Sequence, residues 1–172
     1  MIIILLGYMG SGKSTVGKAL ANTLKYKLID LDNYIEAQQN TSISRLFQTI
    51  GEIQFRKIEA KAVREILKTK TKTVLATGGG TPCYSDNMQF LQQHPRVYSI
   101  YLKASVKTLS ERLIIEKSKR PLIANISDNM LSEFIAKHLF ERSIFYSQAK
   151  FTVEVDSLTT EKIIEAILRE LD

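Results

Sequence analysis

The chain opens on an unbroken apolar run, Ile2-Ile3-Ile4-Leu5-Leu6. A continuous run of this kind, stopped by glycine, predicts a strand buried on both faces, as in a parallel sheet. From Ser14 to Leu24 the pattern changes to a helical period, with Val16, Leu20 and Leu24 on one face. Shorter apolar runs at Tyr26–Asp30, Thr73–Thr77, Val97–Leu102 and Phe151–Val155 read as further strands. The stretch 33–70 is mostly helical, with Ile58, Ala62 and Ile66 in register and Val63 and Leu67 beside them. Asn87–Gln93, Ser105–Ile115, Leu131–Tyr146 and Thr160–Leu171 are the remaining helices, the last with Ile163, Ile164, Ile167, Leu168 and Leu171 apolar. Strands alternating with helices predict an α/β domain, a three-layer α/β/α arrangement around a five-stranded parallel sheet. The segment 116–128 breaks the pattern. It carries Lys117, Lys119, Arg120 and Pro121 without a period, and long loops in compact domains usually act as lids or binding loops.

Composition adds bounds. At 172 residues, 44% hydrophobic and 24% charged, the chain is expected to form one globular domain with a sizeable core. Its net charge of +6 comes from 24 Lys+Arg against 18 Asp+Glu. The basic residues are spread along the sequence without a block of like charge, which favours a small anionic substrate over nucleic acid. The single cysteine, Cys83, cannot form an internal disulfide and reads as a small filler more readily than as a reactive thiol. The apolar start lacks a basic leader region and is too short to span a bilayer. A cytoplasmic protein with no membrane and no nucleic-acid partner is expected.

Chemistry enters at Gly7-Tyr8-Met9-Gly10-Ser11-Gly12-Lys13-Ser14, which fits G-x-x-x-x-G-K-[ST]. With glycine at ~7% of residues, the fixed positions arise by chance in roughly one chain of this length in a few hundred. Here the motif also lies between a predicted strand and a predicted helix. Backbone amides of Gly10, Ser11, Gly12, Lys13, Ser14 and Thr15 would cradle phosphate at a helix N-terminus. Lys13 would reach the β- and γ-phosphates of ATP, and Ser14 would coordinate Mg2+.

In parallel α/β sheets, ligands bind beyond the carboxyl ends of the strands. The second strand delivers Asp30 and Asp32 there, and the third delivers Gly78-Gly79-Gly80. If the second strand persisted, the two aspartates would share a face. One could then support Mg2+ through water, with Asp30 the better candidate, while the other accepts a proton from an attacking hydroxyl. Asp32 could instead simply cap the next helix, and the residues alone leave both readings open. The glycine triplet offers exposed amides to a small polar substrate. Arg56 and Arg142 could each bind a carboxylate, although either alone reads as a surface residue.

Taken in order, these pieces resemble the shikimate kinase family of the nucleoside-monophosphate-kinase-like P-loop fold. The matching residues are the loop through Gly17, Asp30-Leu31-Asp32 with Ile35-Glu36, Ser42-Ile43 and Phe47. They continue through Gly51-Glu52, Phe55-Arg56, Glu59, Thr77-Gly78-Gly79-Gly80, Arg120-Pro121-Leu122, and Arg142 with Tyr146. The resemblance covers nearly the whole chain. It implies ATP-dependent phosphorylation of the 3-hydroxyl of shikimate, a step of chorismate and aromatic amino acid biosynthesis. It assigns Asp32 to the substrate hydroxyls and the proton, Arg56 and Arg142 to the substrate carboxylate, and Gly79 to a backbone contact within the triplet. Lys13 and Arg120 would stabilise the transferring phosphoryl group, and Arg112 would stack near adenine. The resemblance further implies a single kinase domain over 1–172, acting as a monomer. Its loop spans 7–15, its shikimate-binding region about 32–60 and its lid about 116–126. Asn40 stands where the family often has Gly, Leu31 where it has Thr or Ser, and Thr81-Pro82-Cys83 replaces a commoner apolar pair. Another small-molecule kinase of this fold, such as a gluconate kinase, would share the loop but lack the Arg and Gly set. An RNA-associated P-loop protein is suggested only by the basic charge.

Overall fold

The computed structural model describes residues 1–117 and 120–171, with only the backbone of Pro121. Lys119, part of the basic loop and expected lid, lies outside the described residues, as does Ser118. Strand β1 (Ile2–Leu6) is the centre of a five-stranded sheet, flanked by β3 (Thr73–Ala76) and β4 (Val97–Lys103). The edges are β2 (Lys27–Asp30) beyond β3 and β5 (Phe151–Glu154) beyond β4. All pairings are parallel, with Ile4 opposite Leu75 on one side and Ser99 on the other. The five residues of β1 have no exposed surface, which is why the opening run carries no polar alternation.

The helices follow from the crossovers. Helix α1 (Lys13–Leu24) carries the chain from β1 over β3 to β2. The later connections run the opposite way across the sheet, so right-handed crossovers place their helices on the other face. That face holds α2 (Leu31–Gln39), α3 (Ile43–Leu67), α4 (Asn87–Gln93), α5 (Val106–Glu116), α6 (Pro121–Ala124) and α7 (Asp128–Tyr146). The closing helix, α8 (Thr160–Leu171), packs beside α1 and completes the three layers. Strand ends fall within a residue of expectation. Helix α7 begins three residues earlier than the apolar period suggests, because its first turn is polar and opens on Asp128, a carboxylate suited to a helix N-terminus. Within the irregular segment, Pro121 opens the short helix α6.

Three local features adjust the sequence reading. Asn40, where the family often has Gly, sits in the left-handed region (φ 52°) at the end of α2, a conformation asparagine tolerates. Thr81–Cys83 forms one turn of 3-10 helix, with Pro82 in its first turn. Gly51 breaks α3 with φ 72° and ψ 169°, a backbone region open essentially only to glycine. A Cβ there would meet no atom within 4 Å, so the constraint is conformational and not steric. Gly51→Ala should therefore destabilise the protein by about 1–3 kcal/mol in urea unfolding. An unchanged midpoint would mean the break carries no strain.

Candidate functional site

The ends of β1, β2, β3 and β5 open onto a cleft of about 420 Å³. The phosphate loop forms its floor. Gly12 sits at the N-cap of α1 with φ 96°, and Gly10, Ser11, Gly12, Lys13, Ser14 and Thr15 all line the cleft. Lys13 folds back onto the loop, its Nζ donating to the carbonyls of Gly7 (2.8 Å) and Tyr8 (2.9 Å). Burial lowers its pKa to about 8, with Asp32 opposing the shift. The Ser11 hydroxyl is buried without a hydrogen bond among the described residues.

The two aspartates do not share a strand face. Strand β2 stops at Asp30, and Asp32 lies in the first turn of α2. The capping role falls to Asp30, whose Oδ1 accepts from the amides of Asp32 (3.1 Å) and Asn33 (3.3 Å). Its Oδ2 accepts from Ser14 Oγ at 3.1 Å. This leaves Asp32 free of cap duty, lining the cleft opposite Lys13. Burial raises the Asp32 carboxyl to about 6, reinforced by the charges of Asp30 and Glu59 and opposed by Lys13.

Beyond β3 the glycine triplet separates this cleft from the two arginines. Gly78 and Gly79 line the cleft; Gly80, Arg56 and Arg142 do not. Arg56 projects from α3 to Gly80, where a Cβ would lie 2.6 Å from its Nη2. Its guanidinium pairs with Glu52 (3.2 Å) and Glu59 (2.9 Å) and lies 4.1 Å from the centre of the Tyr84 ring. Glu59 is only 1% exposed and also accepts from Thr81 Oγ1 at 2.7 Å. Arg142, 9% exposed, has no acidic partner within 4 Å among the described residues. Both arginines lie close enough to Cys83 to act on its thiol electrostatically. Cys83 itself is half-buried, and burial pushes its thiol to about 11, so it is a filler and not a nucleophile. The triplet's backbone is held from below by Tyr146, whose hydroxyl donates to Gly79 O at 2.5 Å.

At the other end, Arg112 donates to Gly10 O (3.0 Å) and borders the cleft with Leu158, Thr160 and Ile163. Arg120 reaches the cleft from the irregular segment and pairs with Glu116.

Comparison with known proteins agrees with this geometry. The sequence model of the shikimate kinase family matches residues 9–172. The chain belongs to that family. A shikimate kinase of Flavobacterium johnsoniae is 46% identical over 166 residues, 96% of each chain. The crystal structure of shikimate kinase from Bacteroides thetaiotaomicron superposes with a TM-score of 0.93 at 35% identity, covering 99% of this chain and 98% of that one. Shikimate kinase from Acinetobacter baumannii in complex with shikimate gives a TM-score of 0.88 at 30% identity, covering 99% and 92%.

Several residues at the cleft and the glycine triplet have no role that the sequence alone assigns. Glu59 and Tyr146 stand within matching motifs but carry nothing on their own that marks burial; the i, i+3 spacing of Arg56 and Glu59 was the available signal. Leu158, Thr160 and Ile163 reach the cleft only because β5 ends beside it.

The raised pKa of Asp32 has a consequence for stability. The folded carboxyl titrates near 6 against about 3.9 unfolded, so the fold binds this proton more tightly than the unfolded chain does. Stability is then fullest below about pH 4 and declines as pH rises through 6. Asp32→Asn, which cannot ionise, should be more stable than the parent near pH 7, by no more than about 1 kcal/mol because solvent reaches this residue and screens its charge, and should lose that advantage near pH 4. Urea unfolding at the two pH values checks this; a variant less stable at neutral pH would show that the ionised carboxylate is favoured in the fold.

Proposed function

We propose that this chain transfers the γ-phosphoryl group of ATP to the 3-hydroxyl of shikimate, giving shikimate 3-phosphate and ADP on the route to chorismate and the aromatic amino acids. The observation that carries the reading is the joining of two sites. A phosphate loop and a cleft-facing Asp32 lie on one side of Gly78-Gly79-Gly80, and the half-buried Arg56 and the buried Arg142 lie on the other. A hydroxylated carboxylic acid laid across the triplet would present a hydroxyl to Asp32 and its carboxylate to Arg56 and Arg142.

The substrate oxygen attacks the γ-phosphorus in line as the bond to the β-phosphate oxygen breaks, and Asp32 takes the hydroxyl proton. The environment suits that task. A carboxyl near 6 is ionised at neutral pH yet more basic than an ordinary aspartate. Lys13 leaves the loop carbonyls for the phosphates, and Arg120 turns from Glu116 to the transferring group. Arg112 with Leu158 would flank the base. Ser14 and Asp30 form a hard-oxygen pair suited to Mg2+, Ser14 as direct ligand and Asp30 through water. Phosphate oxygens would supply much of the remaining coordination, in keeping with the lack of any cluster of three metal-ligating side chains among the described residues. When bound, the ion neutralises phosphate charge.

The domain reading goes with this function: one kinase domain, with 7–15 as phosphate loop, about 32–60 as substrate region and about 116–126 as lid. No described helix is long and apolar enough to cross a membrane. We take the enzyme to act as a cytoplasmic monomer on two small molecules, without nucleic acid.

The test is ADP release from ATP and Mg2+ with and without shikimate, with gluconate as comparison acid. Stimulation by shikimate alone is expected; an ATP-binding protein that shikimate does not stimulate would overturn the substrate. Arg56→Ala and Arg142→Ala should each raise the KM for shikimate by roughly ten- to a hundred-fold, the worth of a charge-assisted hydrogen bond. The KM for ATP should stay near the parent value. A rise in the ATP value instead would displace the carboxylate site.

A further inference from the structure

Tyr8 is the one aromatic side chain in the phosphate loop, and it points away from the phosphates. Its ring is 1% exposed, and a buried phenol needs a hydrogen-bond partner. That partner comes from 130 residues further along the chain: the hydroxyl lies 2.9 Å from His138 Nδ1 on α7. The two rings also meet edge to face, with centroids 5.6 Å apart at 89°. One helical turn before His138, Phe134 packs on the imidazole at 5.2 Å. One turn after it, Arg142 places its guanidinium 5.9 Å from the centre of the Tyr8 ring. A single face of α7 is therefore seated on Tyr8.

Both partners of the bond are uncharged. Burial pushes the Tyr8 phenol up to about 12, so it keeps its proton. Burial, with Arg142 nearby, lowers the His138 pKa and keeps the imidazole neutral. One hydrogen lies between the phenol oxygen and Nδ1, and the imidazole tautomer sets which of the two donates.

We propose that His138, acting through the Tyr8 hydroxyl, is a positioning residue for Arg142 and so for binding of the substrate carboxylate. The inference rests on the reading of Arg142 given above. The phosphate loop does not need this bond to keep its shape. Ser11 N donates to Tyr8 O (3.2 Å), and Lys13 Nζ grips the Gly7 and Tyr8 carbonyls, contacts that involve only the backbone of Tyr8. What the phenol–imidazole bond adds is the orientation of a ring against which Arg142 is set. Arg142 has no ion pair of its own within 4 Å among the described residues, so its place depends on its aromatic neighbours, Tyr8 and Tyr146.

The test compares Tyr8→Phe, His138→Ala, their double variant and His138→Gln with the parent, measuring shikimate KM and ATP Kd. Each single variant should raise the shikimate KM by about three- to ten-fold, the range of a buried neutral hydrogen bond. The double variant should do no worse than the stronger single one, because both remove the same bond. His138→Gln, whose amide oxygen can accept from the phenol, should recover part of the loss. ATP Kd should hold within about two-fold, taking half the smallest expected effect as the margin. If His138→Ala does not fold, Tyr8→Phe, which removes one oxygen, and His138→Gln carry the comparison. A parent-like shikimate KM in Tyr8→Phe, multiplying effects in the double variant, or an equal weakening for ATP would each overturn the proposal. Absence of shikimate-dependent turnover in the parent would instead overturn the proposed function, before any variant is compared.

Discussion

The site depends on holding charge where water is scarce. Lys13 and Glu59 are buried, and Asp32, open to the cleft, is crowded by protein on its other sides, within the small volume where β1, β2 and β3 end. Burying an ionised group is costly unless it is paired, and the surrounding chain reads as a set of answers to that cost. Glu59 is held by Arg56 and Thr81. Lys13 spends its protons on loop carbonyls. Asp32 is the group left without a matched partner, and its pKa rises accordingly. Groups whose environments push them off their ordinary pKa values mark functional sites more often than structural ones.

The parallel sheet makes this concentration possible. Because every strand runs the same way, each delivers its following loop to one edge. The central strand brings a loop of amides, an edge strand brings aspartates, and β3 brings three glycines that let side chains approach from both sides. The glycines divide the labour of the site. On the proposed reading, nucleotide phosphates and the reacting hydroxyl occupy the cleft, and the carboxylate meets the arginines behind Gly80. Tyr146 fixes the divider by holding Gly79 O, and α7 supplies both Tyr146 and Arg142. The position of α7 therefore matters to the chemistry even though the helix contributes nothing to the cleft lining.

Much of this was legible in the sequence because it is local. The opening apolar run, the phosphate loop and the helical periods each specify their element within a dozen residues, and the resulting order of elements specifies the parallel sheet. The site was less legible wherever it depends on distant contacts. The helix cap that Asp32 could have supplied falls to Asp30, because the backbone turns from strand to helix at Asp30, and composition does not locate that turn. Arg142 reads as a surface arginine until α7 is laid against Tyr8. Leu158 is an ordinary connector residue and Thr160 opens α8, and their presence in the cleft follows from sheet order, with β5 two strands from β1. The Thr81–Cys83 turn has Pro82 as its signal, but its tight 3-10 form also reflects contacts from Asn87 and Glu59.

The central claim is that Asp32, raised by burial, is the base of the reaction. The most direct measurement is the pH dependence of kcat/KM for shikimate, which reports groups of the free enzyme. An acid limb near 6, the value to which burial lifts this carboxyl, is predicted. Activity that holds level down to about pH 4, the range of an ordinary aspartate, would contradict the account.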